Sequence, residues 1–324
     1  MRHRLPVLLT AAMLLVTIVA PVQARGPQQP SRHEQVIAHW TPARMAAAIP
    51  RDFVRSDHGF VPAARPSTGG GSTTGSSWTT AGPVKDRTGK VYFEMGGGAY
   101  VCSGTVATDT RSGYSLVLTA GHCAYDEVNE AFATNWLFIP DFDSNPTFTC
   151  ASTRFGCWTA QALAVHDGYA TAGGFNTQAT LHDFAFAVVG PGGKSGTAQL
   201  DATVGSFPVA IPGFTTSGQT AYAFGYPAAG KYKGNDLVYC AGSIFEDPYN
   251  DELTWGVPCK MTGGSSGGPW LSNFNTSTQA GGLSSLNSYG YSGVAAMHGP
   301  KFNSDTTAVY NAANSTTQNV IAGQ

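Results

Sequence analysis

From residue 83 onward, apolar residues come in short runs, each closed by a cluster of Gly, Pro, Asn, Asp or Ser. The runs cover 90–94 and 100–102 around the glycines 96–98, then 115–119, 136–139, 162–165 and 184–189. After a Gly/Pro cluster at 190–196 the style resumes at 221–224, 236–240, 270–271, 293–298 and 308–310. Runs of about four to six residues between turn signals suit strands and are too short for helices. Only residues 311–322 could form a short helix, at the C-terminus. No strand–helix alternation and no internal repeat is visible, so the chain is expected to be all-β, a barrel or a sandwich. The low charge, 12% Asp, Glu, Lys and Arg, and the 40 glycines agree with strands and turns rather than solvated helices.

The N-terminus sets the compartment. Arg2 and Arg4 precede an apolar stretch, 5–20, broken only by Pro6, Thr10 and Thr17, and Val22 and Ala24 then place small residues at a cleavage site. This is the pattern of a secretory signal peptide over 1–24. The apolar run falls short of the roughly 20 residues that cross a bilayer. A secreted chain places its six cysteines in an oxidising compartment, where they are expected to pair. Residues 25–80 read as a propeptide and linker: a mixed segment that could hold one short helix, then a Gly/Ser/Thr-rich stretch at 67–80. Arg55 and Arg65 are candidate processing points. Such a leader would keep the protein latent or assist slow non-local β pairing. The remainder divides into 81–195 and 196–324.

The chemistry centres on residues 261–269, where Ser265 and Ser266 lie among Gly263, Gly264, Gly267 and Gly268, closed by Pro269. Glycines let backbone N–H groups converge on one point, beside which a serine hydroxyl can stand. A serine needs a base within hydrogen-bond reach. Of the four histidines beyond the leader, His122, His166, His182 and His298, the first follows a strand and a small-residue turn and precedes Cys123. That setting holds a ring in a fixed, accessible position. The base in turn needs an acceptor to orient it. Asp183, at the head of the apolar run 184–189, is the best candidate, with Asp126 and Asp167 as alternatives.

The segments 118–123 and 264–269, in the order His122, Asp183, Ser266, resemble the chymotrypsin/trypsin-like serine peptidase family over about residues 83–320. The resemblance implies two antiparallel six-stranded β-barrels with the active site between them. It makes Ser266 the nucleophile, His122 the base and then the acid, and Asp183 the orienter, with the N–H groups of Gly264 and Ser266 as the oxyanion hole. It also implies a Cys102–Cys123 disulfide. Cys150, Cys157, Cys240 and Cys259 leave three pairings open, with proximity favouring 150–157 and 240–259.

Two departures bear on subtype. Trypsin-like members carry Asp before the nucleophile, where this chain has Ser265. Lys260 stands where members specific for basic residues place a carboxylate, which disfavours cleavage after Arg or Lys. Residues 262–267 and 224–227 resemble the bacterial glutamyl endopeptidase (V8-like) branch, which reads an acidic P1 side chain with a histidine. His298, with Thr262 supplying a hydroxyl, is the candidate for that role.

The resulting expectation is a secreted, latent serine endopeptidase acting on protein or peptide substrates, as a monomer and without a cofactor or metal. An α/β-hydrolase reading with Ser265 as nucleophile fails because His298 precedes Asp305, the wrong order. A catalytically silent binding module is the remaining alternative. With a net charge of −2, nothing points to nucleic acid or an anionic membrane. Asp141 and Asp143 could hold Ca²⁺, but a solvated acidic loop is the simpler reading.

Overall fold

The computed structural model describes Met1 and residues 29–56, 59–62, 75–142 and 149–323. The signal sequence, Arg65, most of the Gly/Ser stretch and Asp143 fall outside the described residues. Residues from Ser31 onward form one compact unit.

The described part of the leader holds more secondary structure than the one short helix expected there. Helix α1 (Arg32–His39) opens with a capping box between Ser31 and Glu34, and α2 (Pro42–Ala47) starts on Thr41 with proline in its first turn. Both devices satisfy the orphan N–H groups of a helix start. Two helices thus stand where at most one was expected. Four short strands follow: β1 (Ile49–Pro50), β2 (Phe53–Ser56), β3 (Gly59–Pro62) and β4 (Ser76–Ser77). Val36, Trp40, Met45, Phe53 and Trp78 are buried, so the leader contributes to the core.

Helix α3 (Pro83–Arg87) leads into β5 (Thr88–Met95), β6 (Gly98–Ala107) and β7 (Ser115–Thr119). A small hairpin, β8 (Tyr125–Asp126) and β9 (Ala131–Phe132), is followed by β10 (Thr134–Pro140) and β11 (Trp158–His166). Short helices α4 (Asp167–Ala170) and α5 (Thr177–Leu181) then precede β12 (Ala185–Val189). β6 pairs β5, β5 pairs β10, β10 pairs β11, β11 pairs β12, β12 pairs β7, and β7 returns to β6. The ring closes as a six-stranded antiparallel barrel, which leaves no open edge within it. β7 and β12 are buried at every residue, which explains why their sequences are apolar without alternation.

After α6 (Leu200–Val204), β13 (Thr220–Gly225) and β14 (Val238–Ser243) join β17 (Pro269–Asn275) and β18 (Ala280–Leu286) in one sheet. β15 (Phe245–Glu246), β16 (Trp255–Val257), β19 (Tyr289–Tyr291) and β20 (Met297–Gly299) form the other. The second half therefore differs from the expected closed barrel. It is two open sheets facing a core that includes Trp270, Ala223, Val257 and Met297. The chain passes from one sheet to the other at Ile244, and strands of two or three residues carry too few ladder bonds to close the ring. Leader strand β4 extends the first sheet beside β14, and β2–β3 extend the second beside β19.

Cys102–Cys123, Cys150–Cys157 and Cys240–Cys259 are disulfide-bonded. The C-terminal helix α7 (Ser304–Ser315) begins earlier than the expected 311, because Asn303 and Thr306 form a capping box there. Residues 320–322 are not helical: β21 (Val320–Ala322) pairs in parallel with β11 and returns the chain to the first barrel. Among the described residues no helix is long and apolar enough to cross a membrane.

Candidate active site

His122 sits on a 3-10 turn (Gly121–Cys123) that follows β7, and its side chain is fully buried. The turn is fixed by the Cys102–Cys123 bond to β6 and by the Trp136 indole N–H donating to the Cys123 carbonyl. Gly121 leaves room for the acceptor: a Cβ there would lie 3.1 Å from both Asp183 Oδ1 and the Tyr169 ring. Asp183, between α5 and β12, is also fully buried. Its Oδ1 accepts the His122 backbone N–H at 2.8 Å, and its Oδ2 accepts His122 Nδ1–H at 2.8 Å. Ser288 Oγ–H donates to the same Oδ2. Three donors satisfy a carboxylate that would otherwise be costly to bury. They also set the tautomer, with the proton on Nδ1 and the lone pair on Nε2. Nε2 has no hydrogen-bond partner among the described residues.

The Ser266 loop is tied to both halves. Ser103 on β6 donates its hydroxyl to the Gly264 carbonyl at 2.8 Å and its backbone N–H to the Ser266 carbonyl at 2.7 Å. On the other side Asn287 donates its side-chain amide to the carbonyls of Ser265 and Phe224, at 3.0 and 2.8 Å. Gly264 has φ +95°, and a Cβ there would approach the Tyr226 carbonyl to 2.8 Å. Only glycine takes this conformation in the loop without strain.

One residue fills the point where these groups converge, and it comes from the leader. Asp52 Oδ1 accepts Ser266 Oγ–H at 2.6 Å, and Asp52 Oδ2 accepts the Gly264 N–H at 3.0 Å. Burial raises the Asp52 carboxyl above its ordinary value, opposed by hydrogen bonds from Ser266 and Gly264 and by the nearby His122. Arg51 beside it donates to the His122 carbonyl at 2.6 Å and pairs with Glu127 at 3.5 Å. Phe53 stacks on Phe175 at 4.1 Å and meets the His122 ring edge-on at 5.5 Å.

His122, Asp183, Gly264 and Ser266 are therefore brought together. Asp126 caps the turn at Val128 and Asn129, and Asp167 opens α4, so neither orients His122. His166 and His182 stack on each other at 4.4 Å beside Asp305. Asp141 is held by Arg154 and Lys85, so its charge is already matched by cations. Thr262 exchanges hydrogen bonds with the Ala229 backbone in both directions, leaving its hydroxyl engaged. His298 departs most from expectation. Its side chain is fully buried under Tyr289, Tyr291 and Phe245, 3.7 Å from Asp247. Desolvation pulls its pKa down to about 4, against the Asp247 charge.

No family model matches the chain, and no curated protein matches it. Among solved structures, a thermostable serine protease, AL20, from an extremophilic microorganism is 36% identical, over 72% of this chain and 98% of its own, with a TM-score of 0.61. Protease Anisep from Arthrobacter nicotinovorans is 37% identical, over 75% of this chain and 100% of its own, also with a TM-score of 0.61. The chain belongs to the trypsin/chymotrypsin clan of serine proteases. A Glu endopeptidase solved with MPD shares this clan fold at 20% identity and a TM-score of 0.55, covering 76% of this chain and 99% of its own. At that identity the likeness is one of fold alone. Ser288 and Asn287, which brace the clan site here, carry no local sequence signal beyond a polar pair before a tyrosine-rich strand.

Proposed function

We propose that this protein is a secreted serine endopeptidase that cleaves peptide bonds through Ser266, His122 and Asp183. The observation that carries the reading is the convergence of the Ser266 hydroxyl and the Gly264 N–H on a single carboxylate beside the His122–Asp183 pair. Three disulfides and the N-terminal sequence pattern support secretion.

With the leader withdrawn, Ser266 Oγ attacks the substrate carbonyl carbon while His122 Nε2 takes its proton. Asp183 holds the ring and stabilises the imidazolium. The carbonyl oxygen becomes an oxyanion and accepts from the N–H groups of Gly264 and Ser266. Collapse breaks the C–N bond as His122 returns the proton to the leaving amine. Water, activated by His122, then releases the acid from the acyl-enzyme and restores Ser266.

The reading stops at peptide bonds as the substrate class. His298 cannot serve an acidic P1 side chain in its present setting, because Asp247 already places negative charge against it and both ring nitrogens are buried. A P1-varied peptide library, run on leader-freed protein with fluorophosphonate labelling, tests both points. Hydrolysis and labelling that vanish in Ser266→Ala are expected, with no dependence of P1 preference on His298. Absence of both cleavage and labelling in the parent protein would overturn the peptidase reading.

A further inference from the structure

We propose that the leader is a built-in inhibitor whose working element is Asp52, a side-chain carboxylate that occupies the reaction centre in place of a substrate carbonyl. The blocking consequence rests on the peptidase reading above; the docking itself does not.

Peptide hydrolysis ends with a carboxylate, one oxygen near the oxyanion donors and the other near the nucleophile. Asp52 reproduces that arrangement with one oxygen on Gly264 N–H and one on Ser266 Oγ–H. The group offered to Ser266 has no leaving amine, so the leader is not cleaved at this point. It also diverts the nucleophile. Ser266 donates its proton to Asp52, and the His122 Nε2 that should receive that proton is left without a partner.

The receptor is shaped for this residue. A Cβ on Gly263 would lie 2.4 Å from Asp52 Oδ2 and 2.8 Å from Pro50 Cβ, so glycine is what admits the leader. Flanking contacts fix the register. Upstream, β1 pairs in parallel with Tyr100 and Val101 on β6. Arg51 bonds the His122 carbonyl, which anchors the leader to the catalytic turn itself. Downstream, Phe53, Val54 and Arg55 pair in parallel with Tyr289, Gly290 and Tyr291, covering the strand that follows Ser288. Phe53 on Phe175, and Phe60 against Phe175 and Tyr289, close the cleft over His122. The bound chemistry is an Arg-Asp-Phe tripeptide with a side-chain carboxyl group at its centre.

The test uses the unprocessed full chain, identified by intact mass. Fluorophosphonate labelling of Ser266 is timed in the parent, in Asp52→Ala and in the size-conserving Asp52→Asn. Hydrogen exchange of 49–62 is read on the same samples. Losing the bonds to two donors should raise the labelling rate by about tenfold or more in Asp52→Ala, with less in Asp52→Asn. Protection over 49–56 should fall in parallel. A synthetic peptide of residues 48–62 should suppress the labelling of Asp52→Ala again, whereas the same peptide carrying that substitution should not. Equal labelling of parent and both variants overturns the proposal while leaving the peptidase reading intact. If no unprocessed form labels, the rest of the leader still covers the cleft, the peptidase reading stays with the leader-freed protein, and exchange alone decides: Asp52-dependent protection of 49–56 sustains carboxylate docking, and unchanged protection overturns it.

Discussion

Two buried histidine–aspartate pairs lie in this molecule, and they do different things. His122 and Asp183 are joined by a 2.8 Å hydrogen bond, with a second bond from the His122 backbone. His298 and Asp247 are 3.7 Å apart, beyond a hydrogen bond. All four side chains are fully buried. What separates the pairs is which donors the carboxylate serves. Asp183 gives both oxygens to His122 and one to Ser288. Asp247 Oδ2 is taken by the hydroxyls of Tyr289, Tyr291 and Thr254, and its Oδ1 accepts the Tyr249 N–H. The first carboxylate orients a ring whose other nitrogen has no hydrogen-bond partner among the described residues. The second ties β16, β19 and the 247–254 turn together, and its histidine is a neutral packing group. Burial and residue type alone do not join a histidine to a carboxylate; the competing donors decide.

That contrast can be broken most directly by matched substitutions. Asp183→Asn should lower kcat/KM of the leader-freed protein by about 10⁴-fold, because the amide no longer holds the Nδ1–H tautomer. Asp247→Asn should leave kcat/KM near that of the parent. A comparable loss at Asp247, measured with the same peptide substrate, would erase the distinction. Asp247→Asn should appear instead in denaturant unfolding, at about 3 kcal/mol, since several hydrogen bonds to a buried charge are weakened at once.

The pH dependence sharpens the comparison at His298. Its folded pKa lies near 4, below the ordinary 6.5. As pH falls, the unfolded chain therefore takes up the proton first, and folding stability declines. The decline begins near the ordinary histidine value and reaches about 3 kcal/mol by about pH 4. His298→Gln should remove this component from a stability–pH curve, and an unchanged curve would refute the assignment. The smallest effect is expected at Ser288. Ser288→Ala removes one donor from Asp183 and should cost about 1 kcal/mol of transition-state stabilisation, roughly a fivefold fall in kcat with KM unchanged.

Much of this was legible in the chain. The short apolar runs mark most of the first-barrel strands, because the pleat and the turn chemistry are local. The segments around His122 and Ser266 stand out through small residues that permit close backbone approach. Asp183 was readable from its place before an apolar strand. The second half was less legible. Strands β15, β16, β19 and β20 hold two or three residues each, too few for a period to register. The start of α7 was missed because its signal is a cap made by Asn303 and Thr306 rather than an apolar periodicity.

By itself the sequence determined an all-β chain, the His122–Asp183 pairing and the loops that must be glycine. These follow from steric rules acting over a few residues. Tertiary structure alone decided that His298 is buried beside a carboxylate, and that Ser288 donates to Asp183. It also decided that Asp52 reaches Ser266 across 214 residues of chain. Such pairings depend on which polar groups are buried together. Their spacing along the chain carries no trace of that, because the free energy comes from desolvated donors and acceptors meeting in space.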